Sequence, residues 1–186
     1  KVDMLQRQRE LAGTPRATLD QLLQIPLAPS ADGTPQLPSS SKDRLRRSRL
    51  YLPGNEAKYM LNAGLHGPDA VILDLEDSVA PASKQDAVAL VRHALWTLDF
   101  GSCERMVRIN QGEAGIKDLQ ALAGAPLHLV LIPKVESAEE LHTLDQAVGK
   151  AELFFMPILE TARGVLNALA IAEASPRNVA LTLGLE

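Results

Sequence analysis

Cysteine is all but missing from this chain. Cys103 is the single one among 186 residues, which excludes an internal disulfide framework and a multi-cysteine zinc site and makes a reducing compartment, the cytoplasm, the expected setting. That lone thiol reads as a packed or partly exposed loop residue. No apolar run reaches the length that crosses a bilayer, and the N-terminal residues, with Asp3, Arg7 and Glu10 scattered among them, lack the continuous apolar core of a signal peptide. Basic charge is sparse as well. The net charge is −4 and arginines cluster only at Arg44, Arg46, Arg47 and Arg49, which argues against a nucleic-acid groove. Neither a Gly-x-Gly-x-x-Gly turn nor a P-loop follows any apolar segment, which weakens a nucleotide-binding open sheet.

What is present is the composition of a soluble globular protein. Residues are 46% hydrophobic and 23% charged, enough apolar material for one sizeable core. Residues 1–24 alternate charge with leucine around Gly13-Thr14-Pro15 and could form one or two short helices. From residue 25 to 43, Pro26, Pro29, Pro35 and Pro38 with Ser39-Ser40-Ser41 resist regular structure and read as a linker or wrapping arm. Residues 1–46 are therefore expected to be an N-terminal helical arm and Pro/Ser-rich linker, and residues 47–186 the compact domain. The arginine cluster at the junction is either a solvated entry to the first strand or an anion contact.

Beyond Arg47 the pattern becomes regular. Strands are predicted at 48–52, 70–75, 105–110, 127–135, 153–159 and 178–183, with helices at 56–65, 84–98, 115–123, 138–148 and 163–174. Strands that are apolar throughout, alternating with helices, point to a parallel sheet with helices outside, either an open doubly wound sheet or a (β/α)8 barrel. Polar residues collect at the C-terminal end of each strand: Gly54-Asn55, Glu76-Asp77, Arg108 with Asn110, Lys134 with Glu136, Glu160, and Glu186. In a closed parallel barrel those ends converge on one face, where barrel enzymes keep their chemistry. The pattern favours a TIM (β/α)8 barrel with about six β/α units present. A partial barrel is thus expected, as a fragment, the ordered part of a longer chain, or a barrel completed elsewhere.

The stretch Ala70-Val71-Ile72-Leu73 runs directly into Asp74, Glu76 and Asp77. Three carboxylates at a strand tip repel one another and lose hydration unless a cation, solvent or hydrogen-bond donors compensate. They either cap the following helix or lie beside a metal ion and its water shell.

Six ordered motifs carry a resemblance. They are Arg47-Ser48-Arg49-Leu50-Tyr51-Leu52-Pro53-Gly54-Asn55; residues 70–79 with Lys84; Val107-Arg108-Ile109-Asn110; Ile132-Pro133-Lys134-Val135-Glu136; Pro157-Ile158-Leu159-Glu160-Thr161-Ala162-Arg163-Gly164-Val165; and Leu183-Gly184-Leu185-Glu186. Together they resemble the citrate lyase β-subunit-like group, which includes malyl-CoA lyases, within the HpcH/HpaI aldolase superfamily. The resemblance covers residues 47–186. It implies a TIM-barrel lyase dependent on Mg2+ that cleaves, or in reverse forms, a carbon–carbon bond between an acetyl- or propionyl-type thioester and a 2-oxo acid. Citryl-CoA and malyl-CoA are substrates of this kind. By the same resemblance Glu160 binds the metal directly, Arg108 holds the 2-oxo acid, and Glu76 and Asp77 stand in the outer shell of the metal. Gly164 lies near the bound substrate, and Asp74 inside the strand is structural. The family's second metal ligand, an Asp after the Gly-x-Glu of the sixth strand, would follow Glu186, and the catalytic acid or base comes from a C-terminal lid; neither is in this sequence. CoA or an acyl-carrier protein would carry the thioester, in a pocket bordered by Arg47 and the Leu52-Pro53-Gly54 turn, and a trimer or hexamer of identical chains is expected.

Elementary chemistry supports those roles and leaves alternatives. Mg2+ takes one or two carboxylates and keeps several waters, and an arginine fork matches a carboxylate as lysine cannot. Glu160 could instead be a helix-start acid favoured by the macrodipole, and Arg108 could also pair with Glu76 or Asp77. Lys134 could be a Schiff-base lysine or a neutraliser of the acids, the latter preferred, while Gly164 could serve packing alone. His66, His93, His128 and His142 fall away from the strand tips. Competing functions are a metal-dependent 2-oxo acid aldolase that uses no thioester and an inactive or truncated partner subunit.

Overall fold

A computed structural model describes residues 40–184. The helical arm, most of the linker and Glu186 lie outside the described residues. Six strands, β1 (Arg49–Pro53), β2 (Ala70–Asp74), β3 (Glu104–Arg108), β4 (Leu129–Ile132), β5 (Phe154–Leu159) and β6 (Thr182–Leu183), alternate with helices. The helices are α1 (Ala57–Met60), α2 (Lys84–Thr97), α3 (Gly112–Ala121), α4 (Ala138–Val148), α5 (Ala162–Leu166) and α6 (Ala168–Glu173). All strands are parallel and lie in sequence order, β1 to β6. A doubly wound sheet reverses its strand order at a switch point; this one does not, and it has the order of successive units of a (β/α)8 barrel. The sheet is also curled. Arg49 on β1 donates to Met156 Sδ on β5 at 3.2 Å and to Thr182 Oγ1 on β6 at 3.0 Å, so the architecture is a half-barrel.

Alternation along each strand feeds two cores. Val71 and Leu73 face outward with Val107, Val130 and Phe155 against Val91, Leu95 and Leu141 of the helices. Ile72 faces inward with Met106, Leu129, Leu131, Met156 and Ile158, filling the concave side. All five residues of β2 are buried, as a strand covered on both faces must be. None of the helices among the described residues is long and apolar enough to cross a membrane.

Four predicted elements differ, one of them the strand expected over 127–135, which is ladder only at Leu129–Ile132 because the chain turns out of the sheet at Lys134, φ 51°. The helix expected over 56–65 stops after α1 and continues as a 3-10 turn at Ala63–His66, where Gly64 lies against the Asp99–Phe100 backbone. The helix expected over 163–174 breaks at Asn167, whose Nδ2 donates to the Glu136 carbonyl at 2.8 Å. The sixth strand, expected over 178–183, is ladder only at Thr182–Leu183, with an isolated bridge from Asn178 to Phe155. Arg177 holds that approach to the α4 end through Asp145 and the Gly149, Ala151 and Leu153 carbonyls.

The arginine cluster closes the N-terminal end of the half-barrel. Arg46 pairs with Glu104 at 2.7 Å, where the Glu104 side chain is fully buried, and Ser40 donates to the same carboxylate. Arg44 donates to the Asp69 and Ser102 carbonyls, and Arg47 binds Asp69 at 2.9 Å. Arg44, Arg46 and Arg47 are thus engaged by carbonyls and carboxylates of the chain itself, Arg47 at the exposed surface. Arg47 and the Leu52-Pro53-Gly54 turn sit at opposite ends of β1, which corrects the expectation that both border one pocket.

Candidate active site

The C-terminal strand ends place four carboxylates and two cations together. Asp74 ends β2 and pairs in register with Arg108 at the end of β3, so both side chains point to the concave side. Arg108 Nε and Nη2 donate to Asp74 Oδ1 and Oδ2, each at 2.6 Å, a side-on bidentate pair. Its Nη1 lies 3.1 Å from Glu76 Oε2 and 3.7 Å from Asp77 Oδ2. The principal partner of Arg108 is therefore Asp74, not Glu76 or Asp77, because the in-register strand ends bring the forks face to face. The Tyr51 ring lies 5.6 Å from the guanidinium centre and supports it from β1.

These contacts set the charge states. Burial pushes the Asp74 carboxyl up, yet the hydrogen bonds from Arg108 and from the Ser78 and Glu76 N–H groups outweigh it and hold the group below the usual carboxylate range. Burial likewise pulls Arg108 down, and the bond and charge of Asp74 raise it further. Lys134 bonds Glu76 Oε1 at 2.7 Å and Asp77 Oδ1 at 3.3 Å. The Glu76 bond, against some desolvation, raises the Lys134 ammonium above its ordinary value. Lys84 ties the loop down from behind, donating to the Leu75 and Glu76 carbonyls at 2.7 and 2.5 Å.

Glu160 stands directly after β5. Its Oε1 accepts the Lys134 N–H at 2.8 Å, the one hydrogen bond to this side chain among the described residues. Gly184, after β6, packs on it so closely that a Cβ there would lie 2.6 Å from Glu160 Cβ and 2.8 Å from Oε2. Gly164 is buried where a Cβ would collide with the Val135 carbonyl, so packing of α5 on the β4 loop suffices to require glycine. Asn110 is turned away to Asp118, whose Oδ2 accepts both its N–H and its Nδ2 at 2.8 Å. His66, His93, His128 and His142 sit away from this face, His128 accepting the Arg105 N–H before β4.

Among the described residues no three His, Cys, Asp or Glu side chains form a ready ligand cage. The donor set is nonetheless all oxygen, and Asp74, Glu76, Asp77 and Glu160 face only Arg108 and Lys134 as contacting cations. Among the described residues no cation contacts the Glu160 carboxylate, and Lys84, the third ammonium of this end, is spent on backbone carbonyls. A hard divalent ion that takes one or two carboxylates and keeps its waters fits that set. A groove of about 820 Å3 lies elsewhere, among Ser40, His128, Asp145 and Phe154 at the opposite end of the sheet.

The sequence profile of the HpcH/HpaI aldolase/citrate lyase family matches residues 47–186. The chain belongs to that family. Among other members, the citrate lyase subunit beta of Leuconostoc mesenteroides subsp. cremoris is 38% identical over 157 residues, covering 78% of this chain and 52% of that protein. A (3S)-malyl-CoA thioesterase of Cereibacter sphaeroides is 41% identical over 140 residues, covering 74% and 48%. The crystal structure of protein CitE from Mycobacterium tuberculosis in complex with magnesium and acetoacetate superposes with a TM-score of 0.63 at 35% identity, covering 76% of this chain and 56% of that one. The M. tuberculosis citrate lyase beta subunit complexed with oxaloacetate and magnesium gives 0.62 at 34%, covering 75% and 59%. The chain spans about half the length of the curated relatives it matches.

Three features of the family member's site escape sequence reasoning. The Asp74–Arg108 clamp was readable only from strand register, the left-handed backbone of Lys134 has no compositional sign, and the Asp118 tether of Asn110 joins an element to the turn before it.

Proposed function

We propose that the chain supplies the metal- and oxo-acid-binding half of a carbon–carbon lyase dependent on Mg2+. The enzyme would cleave or form a 3-hydroxyacyl thioester such as citryl-CoA or malyl-CoA, with a 2-oxo acid and an acetyl-type thioester on the other side. The observation that carries this reading is the set of carboxylates at the strand tips, with Glu160 held at one oxygen only and contacted by no cation among the described residues. When bound, Mg2+ supplies Lewis acidity to the ketone oxygen of the oxo acid. Glu160 would hold the ion directly, with Glu76 and Asp77 in its outer shell. Arg108, oriented by its side-on pair with Asp74 and shared through Nη1 with Glu76, offers its remaining N–H donors to the substrate carboxylate. A carrier thioester approaches over the rim near the Leu52-Pro53-Gly54 turn. The chain acts as a homo-oligomer, a trimer or hexamer, in the cytoplasm.

Lys134 supports this reading over a Schiff-base aldolase. A nucleophilic lysine needs a lowered pKa, and the Glu76 and Asp77 contacts raise this one. The relatedness to malyl-CoA thioesterases favours a second reaction, hydrolysis of the thioester after condensation. Acetyl-CoA plus glyoxylate with Mg2+, followed by mass detection of malyl-CoA and by release of free CoA, separates condensation from hydrolysis. Pyruvate plus an aldehyde tests the route without a thioester. Glu160→Ala should abolish Mg2+-dependent turnover, and retained activity would refute the ligand assignment.

A further inference from the structure

Two residues past β4, Lys134 has φ 51°, the one positive value for a non-glycine residue among the described residues. A residue with a Cβ pays for that left-handed backbone and keeps it only where surrounding contacts enforce it. Here the conformation aims one residue at two different strand tips. The N–H reaches Glu160 Oε1 after β5 at 2.8 Å, while the side chain runs back to Glu76 Oε1 after β2 at 2.7 Å and to Asp77 at 3.3 Å. A glycine would hold the same backbone without strain, so the lysine side chain is the part the strain preserves.

Resting on the function proposed above, we infer that Lys134 is a positioning residue that selects which carboxylate meets the divalent cation. Its N–H fixes one oxygen of Glu160 and leaves the other for ligation. Its ammonium holds Glu76 Oε1 and Asp77 Oδ1, the oxygens that Arg108 does not contact, and so keeps them from replacing water on the ion. The charge consequence has opposite signs for the two ligands. Without the ammonium the strand tips carry one more negative charge, so a cation binds more tightly and an anionic oxo acid more weakly. A lysine that only stabilised the fold would weaken both together.

The test uses the full chain with Mn2+ as the metal probe and pyruvate as the oxo-acid probe. Free Mn2+ is counted by electron paramagnetic resonance, and waters on bound Mn2+ are counted by proton relaxation. Lys134→Met should bind Mn2+ roughly tenfold more tightly and pyruvate roughly tenfold more weakly, with fewer waters on the ion. Lys134→Arg should stay within about threefold of the parent chain for both, since the charge is kept. Lys134→Gly keeps the N–H at an unstrained positive φ and should behave as Lys134→Met does, which guards against a folding defect. Unchanged affinities in the Met and Gly variants, or a fall in both affinities together, overturn the inference. If Mn2+ binding survives Glu160→Ala, the proposed function itself fails and this inference falls with it.

Discussion

Replacing Asp74 by asparagine probes the clamp on which Arg108 depends. The Asp74 side chain is 2% exposed and accepts two bonds of 2.6 Å from Arg108, with further bonds from the Glu76 and Ser78 N–H groups at 2.9 and 3.2 Å. Asparagine keeps the shape but turns an NH2 toward a donor, so one of the two arginine bonds is lost and the charge with it. Removing one partner of a buried pair costs about 3–5 kcal/mol. Arg108 keeps some solvent contact and Glu76 at 3.1 Å, which brings the expected loss to or below the bottom of that range, about 2–3 kcal/mol. For a domain of this size that is a drop in Tm of roughly 5–10 °C. Thermal melts followed by circular dichroism measure it. The pH dependence has a definite sign. The carboxyl of folded Asp74 titrates below the ~3.9 of an unfolded aspartate, held down by its hydrogen bonds. Its contribution is whole above that unfolded value and is lost as pH falls through the folded one. The parent chain and Asp74→Asn should therefore converge in acid. A variant within about 0.5 kcal/mol of the parent at neutral pH, or a gap that widens as pH falls, would refute the clamp.

Gly184→Ala puts a methyl 2.6 Å from Glu160 Cβ; displacement of that carboxylate should lower Mn2+ affinity roughly 10–100-fold, measured by direct titration, and unaltered binding would show that Glu160 does not need the space. Arg108→Lys keeps the charge but not the fork, so pyruvate affinity should fall on the order of 100-fold and the melt should shift downward as Asp74 loses one of its bonds, both read on the same preparation. Arg46→Ala strands the buried Glu104 carboxylate at a cost of about 3–5 kcal/mol. Because that pair lies at the far end of the strands, folded protein should bind Mn2+ with the parent's affinity, and a change there would mean the two ends are coupled.

The sheet was legible because its strands carry their own signal. Ala70 to Leu73 is apolar without alternation, and a strand of that kind has to be covered on both faces. The tips were legible because polar residues recur at equivalent places after each apolar run, which brings Glu76, Arg108, Lys134 and Glu160 to one face. Pairings within that face were not. Whether Arg108 meets Asp74 or Glu76 depends on a register of neighbouring strands that alternation alone leaves open by two residues. The broken helix at residue 167 is tied to a tertiary contact, the Asn167 bond to the Glu136 carbonyl, of a kind that helix propensity does not encode.

The arginine that spans the concave face also bears on the order of assembly. Every strand pairs with the next one in sequence, so the sheet can grow by closing one modest loop after another, each at a small entropic cost. The bonds from Arg49 to Met156 and Thr182 are of another kind, since they join residues 107 and 133 positions apart. Non-local contacts are rewarded only after intervening chain is ordered, so Arg49 closes late, after the ladder that curls the sheet is in place. An interaction formed after the transition state acts on the rate of unfolding rather than of folding. Arg49→Met should then steepen the loss of protein over time in denaturant while leaving refolding unchanged, making this one side chain a determinant of how long the half-barrel lasts rather than how fast it is made.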